Sequence, residues 1–445
     1  DALLNRVLPL SAEPGAPDPE TNDRVMLLRR RLSRILYRRR FFDYPVSLNM
    51  STIRNLGFWR MARIGLSYLK CRLFPIRPER SLEDFMVNRF GRELYNIFFR
   101  DYTEKVWGVP PSRIQPDWGA QRIKGLSVAK VLWHAVRGLF RKKPSSVAQK
   151  DTETSLIEQY FYPKYGPGQM WEEVGRLVRE QGGEILLEQR VVGLRRERDR
   201  ITAVDVMNVA SGEVRTLAAD VVFSSMPVKD LIASMTPAAP ESVLQVASGL
   251  VYRDYMTVGL LVKRLRIRNE TRIPTLNDLV PDLWIYIQES DVKLGRLQVF
   301  NNWSPYMVAD PATVWLGLEY FCQEGDELWR QADADFAAFA ARELAHIGVI
   351  DEADVLDAKV VRIPKTYPAY FGTYDRFDEV KAFASGIENL FLVGRNGMHK
   401  YNNTDHSMLT AMTAVDNLVA GLTTKDNIWA VNTEEEYHEE KTSKA

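Results

Sequence analysis

The stretch from Asn389 to Gly421, NLFLVGRNGMHKYNNTDHSMLTAMTAVDNLVAG, constrains the fold more than any other part of the chain. A short apolar run, Leu390 to Val393, has the length of a buried strand and ends at Gly394. The polar segment Arg395 to Asp405 follows. Beyond it, Met408, Leu409, Met412, Val415, Leu418 and Val419 recur at helical spacing, with Asn403, Thr404 or Asp405 placed to cap the first turn. A helix start of this kind presents unpaired backbone N–H groups, which attract anions or electron-rich rings. Gly394 and Gly397 permit close backbone approach, and Arg395 and Lys400 add positive charge, so the loop suits a diphosphate or a flavin edge. An ordinary strand-loop-helix connection accounts for the glycines equally well. It does not need Tyr401, Asn402, Asn403, Asp405, His406 and Ser407, six hydrogen-bonding groups within seven positions.

At 445 residues the chain is expected to form two or three domains with room for a ligand between them. Its 45% hydrophobic and 26% charged residues are those of a globular protein, and a net charge of +1 gives no global attraction to nucleic acid. Cys71 and Cys322 form neither a disulfide framework nor a thiolate metal site, and the five histidines are scattered, which argues against a zinc enzyme. No apolar run reaches the roughly 18 residues of a membrane span, and no secretory signal opens the sequence, so the expectation is cytoplasmic. The first residue is Asp1, from which we expect that an upstream segment has been removed or omitted.

Taken in order, residues 1–25 read as an exposed loop. Arg29 to Arg40 carries seven arginines and reads either as a basic amphipathic segment able to make weak membrane-surface contact, or as two short strands with arginines outside. Met50–Lys70 and Ser81–Phe99 read as helices, the second capped by Ser81, in a helical region that runs past Trp133 and Leu139 to the linker Arg141–Lys150. After it, Gly166 starts a helix that Gly182-Gly183 stops. Strands are then expected at Glu184–Leu194, Ile201–Asn208, Val214–Leu217 and Ala219–Ser225. Thr257–Val262, Leu283–Gln288, Leu297–Asn301 and Trp315–Tyr320 suggest an antiparallel sheet with an aromatic pocket face. A helix at Asp333–Ile347, the strand Ala358–Ile363 and a mobile charged tail from Asn432 complete the expectation.

Arginine, tyrosine and tryptophan recur near the loops: Tyr102, Trp107, Arg122, Arg296, Trp303, Tyr367, Tyr370, Tyr374, Arg395 and Tyr401. Such groups clamp phosphates and stack on rings, although singly Tyr370 and Tyr374 read more readily as packing residues. The Gly-x-Gly-x-x-Gly fingerprint is missing, Gly166-Pro167-Gly168 being its nearest approach. From the residues alone the chain is a ligand-binding α/β protein.

Two stretches resemble the UDP-galactopyranose mutases, within the wider clan of FAD-dependent amine oxidases and protoporphyrinogen oxidases. One is FFRDYTEKVWGVPPSRIQPDWGAQRIKGLS from Phe98 to Ser127, and the other is GRNGMHKYNNTDHSML within the opening stretch. Gly295–Val308 (GRLQVFNNWSPYMV) is similar to a strand that brings a second substrate arginine, Lys365–Tyr370 (KTYPAY) to a tyrosine-proline segment, and FYPKYGPGQMWEEV and ADVVFSSMP to the wider clan. The likeness spans Ser33 to Gly421.

This resemblance implies an α/β (α+β) fold: a Rossmann-like FAD-binding domain without its first βαβ unit, a helical domain and an antiparallel-sheet substrate domain. The implied division is 1–80 (remainder of the FAD-domain region with the basic segment), 81–150 (helical), 151–230 (FAD-binding), 231–365 (substrate sheet), 366–431 (C-terminal FAD-binding) and 432–445 (tail). It implies FAD as cofactor, held by Val191, Ser224, Gly394, Arg395, Asn403, Asp405, His406, Ser407 and Met408. It implies a nucleotide-sugar substrate, with Arg122 and Arg296 as catalytic residues on its diphosphate and Tyr102, Trp107, Trp303, Tyr367 and Tyr401 binding it. The implied reaction is pyranose/furanose ring isomerisation by reduced-flavin covalent catalysis. An FAD-dependent oxidoreductase of the protoporphyrinogen or amine oxidase type, and a flavoenzyme-derived protein without activity, remain as alternatives. The chain departs from the pattern at its start, which lies downstream of the glycine fingerprint, and we expect truncation rather than loss of FAD binding. It departs also in a shorter loop after Tyr401.

Overall fold

A computed structural model describes residues 7–11, 15, 17–44, 46, 50–116, 119 and 159–431. Arg122, the expected helical stretch through Trp133 and Leu139, the linker 141–150 and the tail from Asn432 lie outside the described residues.

The largest sheet is built around Leu250–Val262, whose burial alternates along the strand, and the almost wholly apolar Val314–Cys322, successive side chains of each pointing to opposite faces. Its seven strands run in the order Val355–Gly372, Leu250–Val262, Val314–Cys322, Arg296–Val299, Trp284–Ile287, Ser33–Tyr37, Arg40–Asp43. Neighbours are antiparallel except Trp284–Ile287 with Ser33–Tyr37, which are parallel. One face buries Met256, Val258, Leu260, Leu297, Leu316 and Leu318 under Phe336, Ala340 and Leu344 of the helix Asp333–His346. Each large side chain so buried contributes about 1.5–3 kcal/mol relative to exposure. Arg296, Gln298, Glu319, Phe321, Trp284 and Tyr286 hold the alternate positions, and so share the other face.

Four helices, Phe58–Leu73, Leu82–Phe90, Arg92–Phe98 and Arg100–Trp107, form a second layer. Ser81 caps as expected, its Oγ accepting from the Asp84 amide at 3.2 Å. The single helix expected over Ser81–Phe99 is broken at Gly91, whose φ of 80° suits glycine. A Cβ there would stand 2.8 Å from the Tyr68 backbone, so glycine is what lets these helices meet.

Three smaller sheets complete the fold. Val214–Ala218, Arg200–Asn208, Gln189–Glu197 and Met235–Thr236 form one. The expected strand from Glu184 starts only at Gln189. Met26–Arg30 pairs with Gln159–Pro163, and Leu390–Leu392 pairs in parallel with Val222–Ser224. Gln189–Glu197 with Met235–Thr236 is parallel too, and no larger parallel sheet of the expected Rossmann-like kind is present among the described residues. The strand expected at Ala358–Ile363 extends to Gly372 through Pro364 and Pro368, with Lys365 at φ 51° and register shifts against Leu250–Val262.

Of the two readings of Arg29 to Arg40, the strands are found, but its arginines are not all outside. Arg34 is buried and its Nε lies 2.9 Å from Oδ1 of fully buried Asp282. Arg29 donates to the Asn302 carbonyl at 2.9 Å, and Arg39 pairs with Glu289 and Asp291. Among the described residues no helix is long and apolar enough to cross a membrane.

Candidate substrate and cofactor site

Glu319 interrupts an otherwise apolar strand, VWLGLEYFC, and a carboxylate buried there requires a cation. Arg296, on the adjacent strand and directly opposite in register, supplies it. Gln298 Nε2 donates to the other carboxylate oxygen at 2.6 Å, and Arg296 Nη2 donates to the Tyr367 hydroxyl at 2.9 Å. Burial works against the Arg296 charge, yet the Glu319 carboxylate and the surrounding tyrosines hold its pKa well above the ordinary value. Burial likewise raises the pKa values of Tyr102 and Tyr367, which keeps both hydroxyls protonated as donors. The guanidinium carbon lies 5.3 Å from the Phe321 ring centre and 6.0 Å from that of Trp284.

The bend after Leu390–Leu392 docks along the tyrosine-proline segment. Arg395 donates to the Thr366 carbonyl (3.3 Å), Asn396 Nδ2 to the Lys365 carbonyl (2.8 Å), and the Tyr401 amide to the Tyr370 hydroxyl (2.7 Å). His399 Nε2 lies 3.1 Å from the Ala369 carbonyl. This pairing stacks Tyr401 on Tyr367 at 5.8 Å with the planes 9° apart, and places the Arg395 guanidinium 4.6 Å from the Tyr401 ring centre. Arg296, Tyr367, Tyr401 and Arg395 are therefore one cluster. Tyr102 joins it edge-on through Tyr286, with ring centres 5.8 Å apart.

On the side where the sequence leads one to expect a cofactor, Ser224 and Leu392 end the two parallel strands, the end at which open α/β sheets bind ligands. Gly394 has φ 71°, and its amide donates to Thr410 Oγ1 at 2.9 Å. A Cβ on Gly397 would collide with the Ser224 carbonyl, so this glycine permits the contact between bend and strand. Ser407 Oγ donates to Asn402 Oδ1 at 2.8 Å. Asn403 occupies the N-cap of the helix Thr404–Val419 without a side-chain capping bond, and Asp405 pairs with His406 Nδ1 at 3.2 Å. Met408 packs against Leu8, Leu10, Met26 and Met170, while Val191 packs beside the core that includes Leu392 and Val393.

Some expectations are redirected. Lys400 donates to the carbonyls of Trp429 and Val431, both at 3.0 Å, and so ties down the last helix instead of charging the loop. Trp107 is 3% exposed within the core of the helical layer. Tyr370 is a packing residue at 1% exposure. Apart from Met408, the large apolar residues of Thr404–Val419 do not face inward: Leu409, Met412, Val415, Leu418 and Val419 are exposed, and Thr410, Ala414 and Asn417 are buried.

Trp303 stands at the centre of an aromatic box, with ring centres 4.9 Å from Trp284, 5.5 Å from Tyr160 and 5.2 Å from Tyr162. The indole nitrogens of Trp284 and Trp303 and the Tyr160 hydroxyl are buried without a hydrogen-bond partner. Three orphaned donors, of which Trp284 adjoins Arg296, are costly unless a ligand with acceptor atoms satisfies them. Carbonyl-bearing rings have that chemistry, so the donor set is compatible with a flavin ring. Sequence reasoning missed Glu319, Trp284, Tyr286 and Tyr160. The acid inside an apolar strand was the available signal for the first.

This arrangement belongs to a fold shared by mutases and oxidases. The chain superposes on the crystal structure of reduced UDP-galactopyranose mutase with a TM-score of 0.71 at 19% identity, over 93% of this chain and 84% of that one. It is similar also to a protein assigned as a protoporphyrinogen oxidase from Exiguobacterium sp. 255-15 (TM-score 0.57, 14% identity, 87% and 81% covered). A third likeness is to putrescine oxidase bound to putrescine (0.55, 11%, 89% and 83%). No protein-family profile matches the chain. The mutase and oxidase resemblance drawn from the sequence is thus met at the level of the fold.

Proposed function

We propose that this chain is an FAD-dependent enzyme that interconverts the pyranose and furanose forms of a nucleotide-linked sugar, with no net redox change. The observation that carries this reading is the Arg296–Tyr367–Tyr401–Arg395 cluster, held against the bend that follows the parallel strands. The likeness to UDP-galactopyranose mutase across most of the chain supports the same reading.

Ser224, Gly394, Gly397 and Ser407 would hold the flavin side, with Trp284, Trp303 and Tyr160 donating to oxygens of the ring or the sugar. Bound and reduced, FAD supplies the nucleophile and electron density that the anomeric carbon requires. Arg296 places a fixed positive charge where the leaving diphosphate accumulates negative charge, and Tyr367 orients it. Glu319 keeps Arg296 in place when no substrate is bound, at the cost of part of its field. Arg122 is proposed as the second diphosphate arginine.

Incubating the FAD-loaded, reduced protein with UDP-galactofuranose and separating the products by chromatography tests the proposal. UDP-galactopyranose should form, and Arg296→Met should lower kcat/KM by about a hundredfold, the scale of losing one charged transition-state contact. Hydrogen peroxide formation from an amine, without sugar isomerisation, would replace this reading with the oxidase one.

A further inference from the structure

The helix Phe58–Leu73 carries its apolar face outward. Phe58, Trp59, Leu66, Leu69 and Leu73, with Phe74 just beyond, are 55–80% exposed, although each is a residue type that proteins bury. At helical spacing Phe58, Ala62, Leu66, Leu69 and Leu73 form one stripe, Trp59 lies beside it, and buried Ile64 marks the opposite side. The outward orientation is fixed from behind. Ser67 Oγ accepts from the Glu93 amide at 3.1 Å, Arg63 pairs with Glu93 at 3.0 Å, and Gly91 brings the next helix against the Tyr68 backbone.

Charge narrows what can cover this face. From Tyr44 to Pro78 there is no Asp or Glu, against six basic residues, Arg54, Arg60, Arg63, Lys70, Arg72 and Arg77. Among the described residues only Arg63 of these is ion-paired. Lys70 and Arg72 are exposed and flank the apolar stripe on its two sides. A second copy of the chain laid on the stripe would bring like charges together around its rim. Chain 120–150 has eight basic residues and no acid, so it too has the wrong sign to complement the rim.

We propose that this helix lies on an anionic phospholipid surface, its apolar stripe among the acyl-chain ends and its cations at the headgroups. An interfacial helix needs a Trp/Phe/Leu face rimmed by Lys and Arg, and this one is about 24 Å long at 1.5 Å per residue. Aromatic residues near both ends, Trp59 and Phe74, suit the headgroup boundary. In Arg29 to Arg40, the other segment expected to touch a membrane surface, Arg29, Arg34 and Arg39 are committed within the fold. The proposal does not depend on the reaction catalysed.

Co-flotation of the full chain with vesicles tests it, using phosphatidylcholine alone and phosphatidylcholine with about three parts in ten phosphatidylserine. Partitioning to the anionic vesicles should be about tenfold or more stronger and should weaken as salt is raised. Trp59→Glu with Leu66→Glu, both exposed positions, should abolish it while leaving the unfolding midpoint unchanged. Lys70→Glu with Arg72→Glu should remove the preference for anionic lipid. Equal partitioning to both vesicle types, no flotation of the unaltered chain, or undiminished flotation of the Trp59→Glu, Leu66→Glu variant overturns the proposal. So does an unaltered chain that dimerises without floating and becomes monomeric in that variant, because the face would then be a contact between copies.

Discussion

Replacing Glu319 by Ala should destabilise the protein severely, and the reason is the arginine left behind. The Glu319 side chain is 3% exposed and that of Arg296 19%, so removing the carboxylate strands a charge where water cannot solvate it. One-sided loss of a buried pair costs about 3–5 kcal/mol. At about 2–4 °C per kcal/mol for a domain of 150–250 residues, the melting temperature should fall by about 10 °C. Removing both charges relieves the penalty. Arg296→Met with Glu319→Leu should lie within about 1 kcal/mol of the unaltered protein, giving a coupling energy of several kcal/mol in a double-mutant cycle. Urea unfolding followed by tryptophan fluorescence reads all four forms. Glu319→Gln adds a functional arm: it uncovers the Arg296 charge, so UDP should bind more tightly even as stability falls. Single variants each costing under about 1 kcal/mol, or additive effects in the cycle, would refute the claim that these groups form a buried compensated pair.

Three further outcomes are expected. Gly397→Ala forces a methyl group into the Ser224 carbonyl and should cost about 3 kcal/mol in unfolding experiments, with weakened FAD binding because the bend must shift. His399 is 1% exposed and burial depresses its pKa from 6.5 to about 4. The stability this gives is fully present above pH 6.5 and is lost as pH falls toward 4, in total about 3 kcal/mol, and His399→Gln should remove that part of the pH dependence measured by urea titration. Tyr160→Phe deletes an unpartnered buried hydroxyl, so it should leave the free protein as stable or up to about 1 kcal/mol more stable while weakening ligand affinity in calorimetry.

Much of this fold is legible in the sequence because local chemistry and tertiary structure agree. Ser81 reads as a cap and is one. Leu390 to Val393 reads as a strand leading through glycines to a helix, and it pairs with Val222–Ser224 before turning at Gly394. Where the reading fails, tertiary contacts override the pattern. The periodicity of Thr404–Val419 identifies a helix but not its covered side, because the buried side is anchored by polar bonds from Thr410 to Gly394 and from Asn417 to Asn427. Proline at 364 and 368 hides the length of Val355–Gly372, which tolerates them through shifts in register. In the site, arginine and tyrosine composition draws attention to Arg296, Tyr367 and Tyr401, which do meet. Spacing alone gives no sign that Glu319 neutralises Arg296, or that Lys105 donates to the carbonyls of Ile287, Glu289 and Leu294, where burial lowers its pKa to about 8.

The central claim is that the Arg296–Tyr367–Tyr401 cluster faces a bound flavin and holds a nucleotide sugar against it. The visible absorption spectrum of the FAD-loaded protein, recorded before and after adding UDP-galactose, tests this most directly. The account predicts a shift of the flavin bands that is lost in Tyr367→Phe, which removes the hydrogen bond positioning Arg296. A protein that ignores added FAD, or flavin bands that shift identically with Phe at position 367, would contradict it.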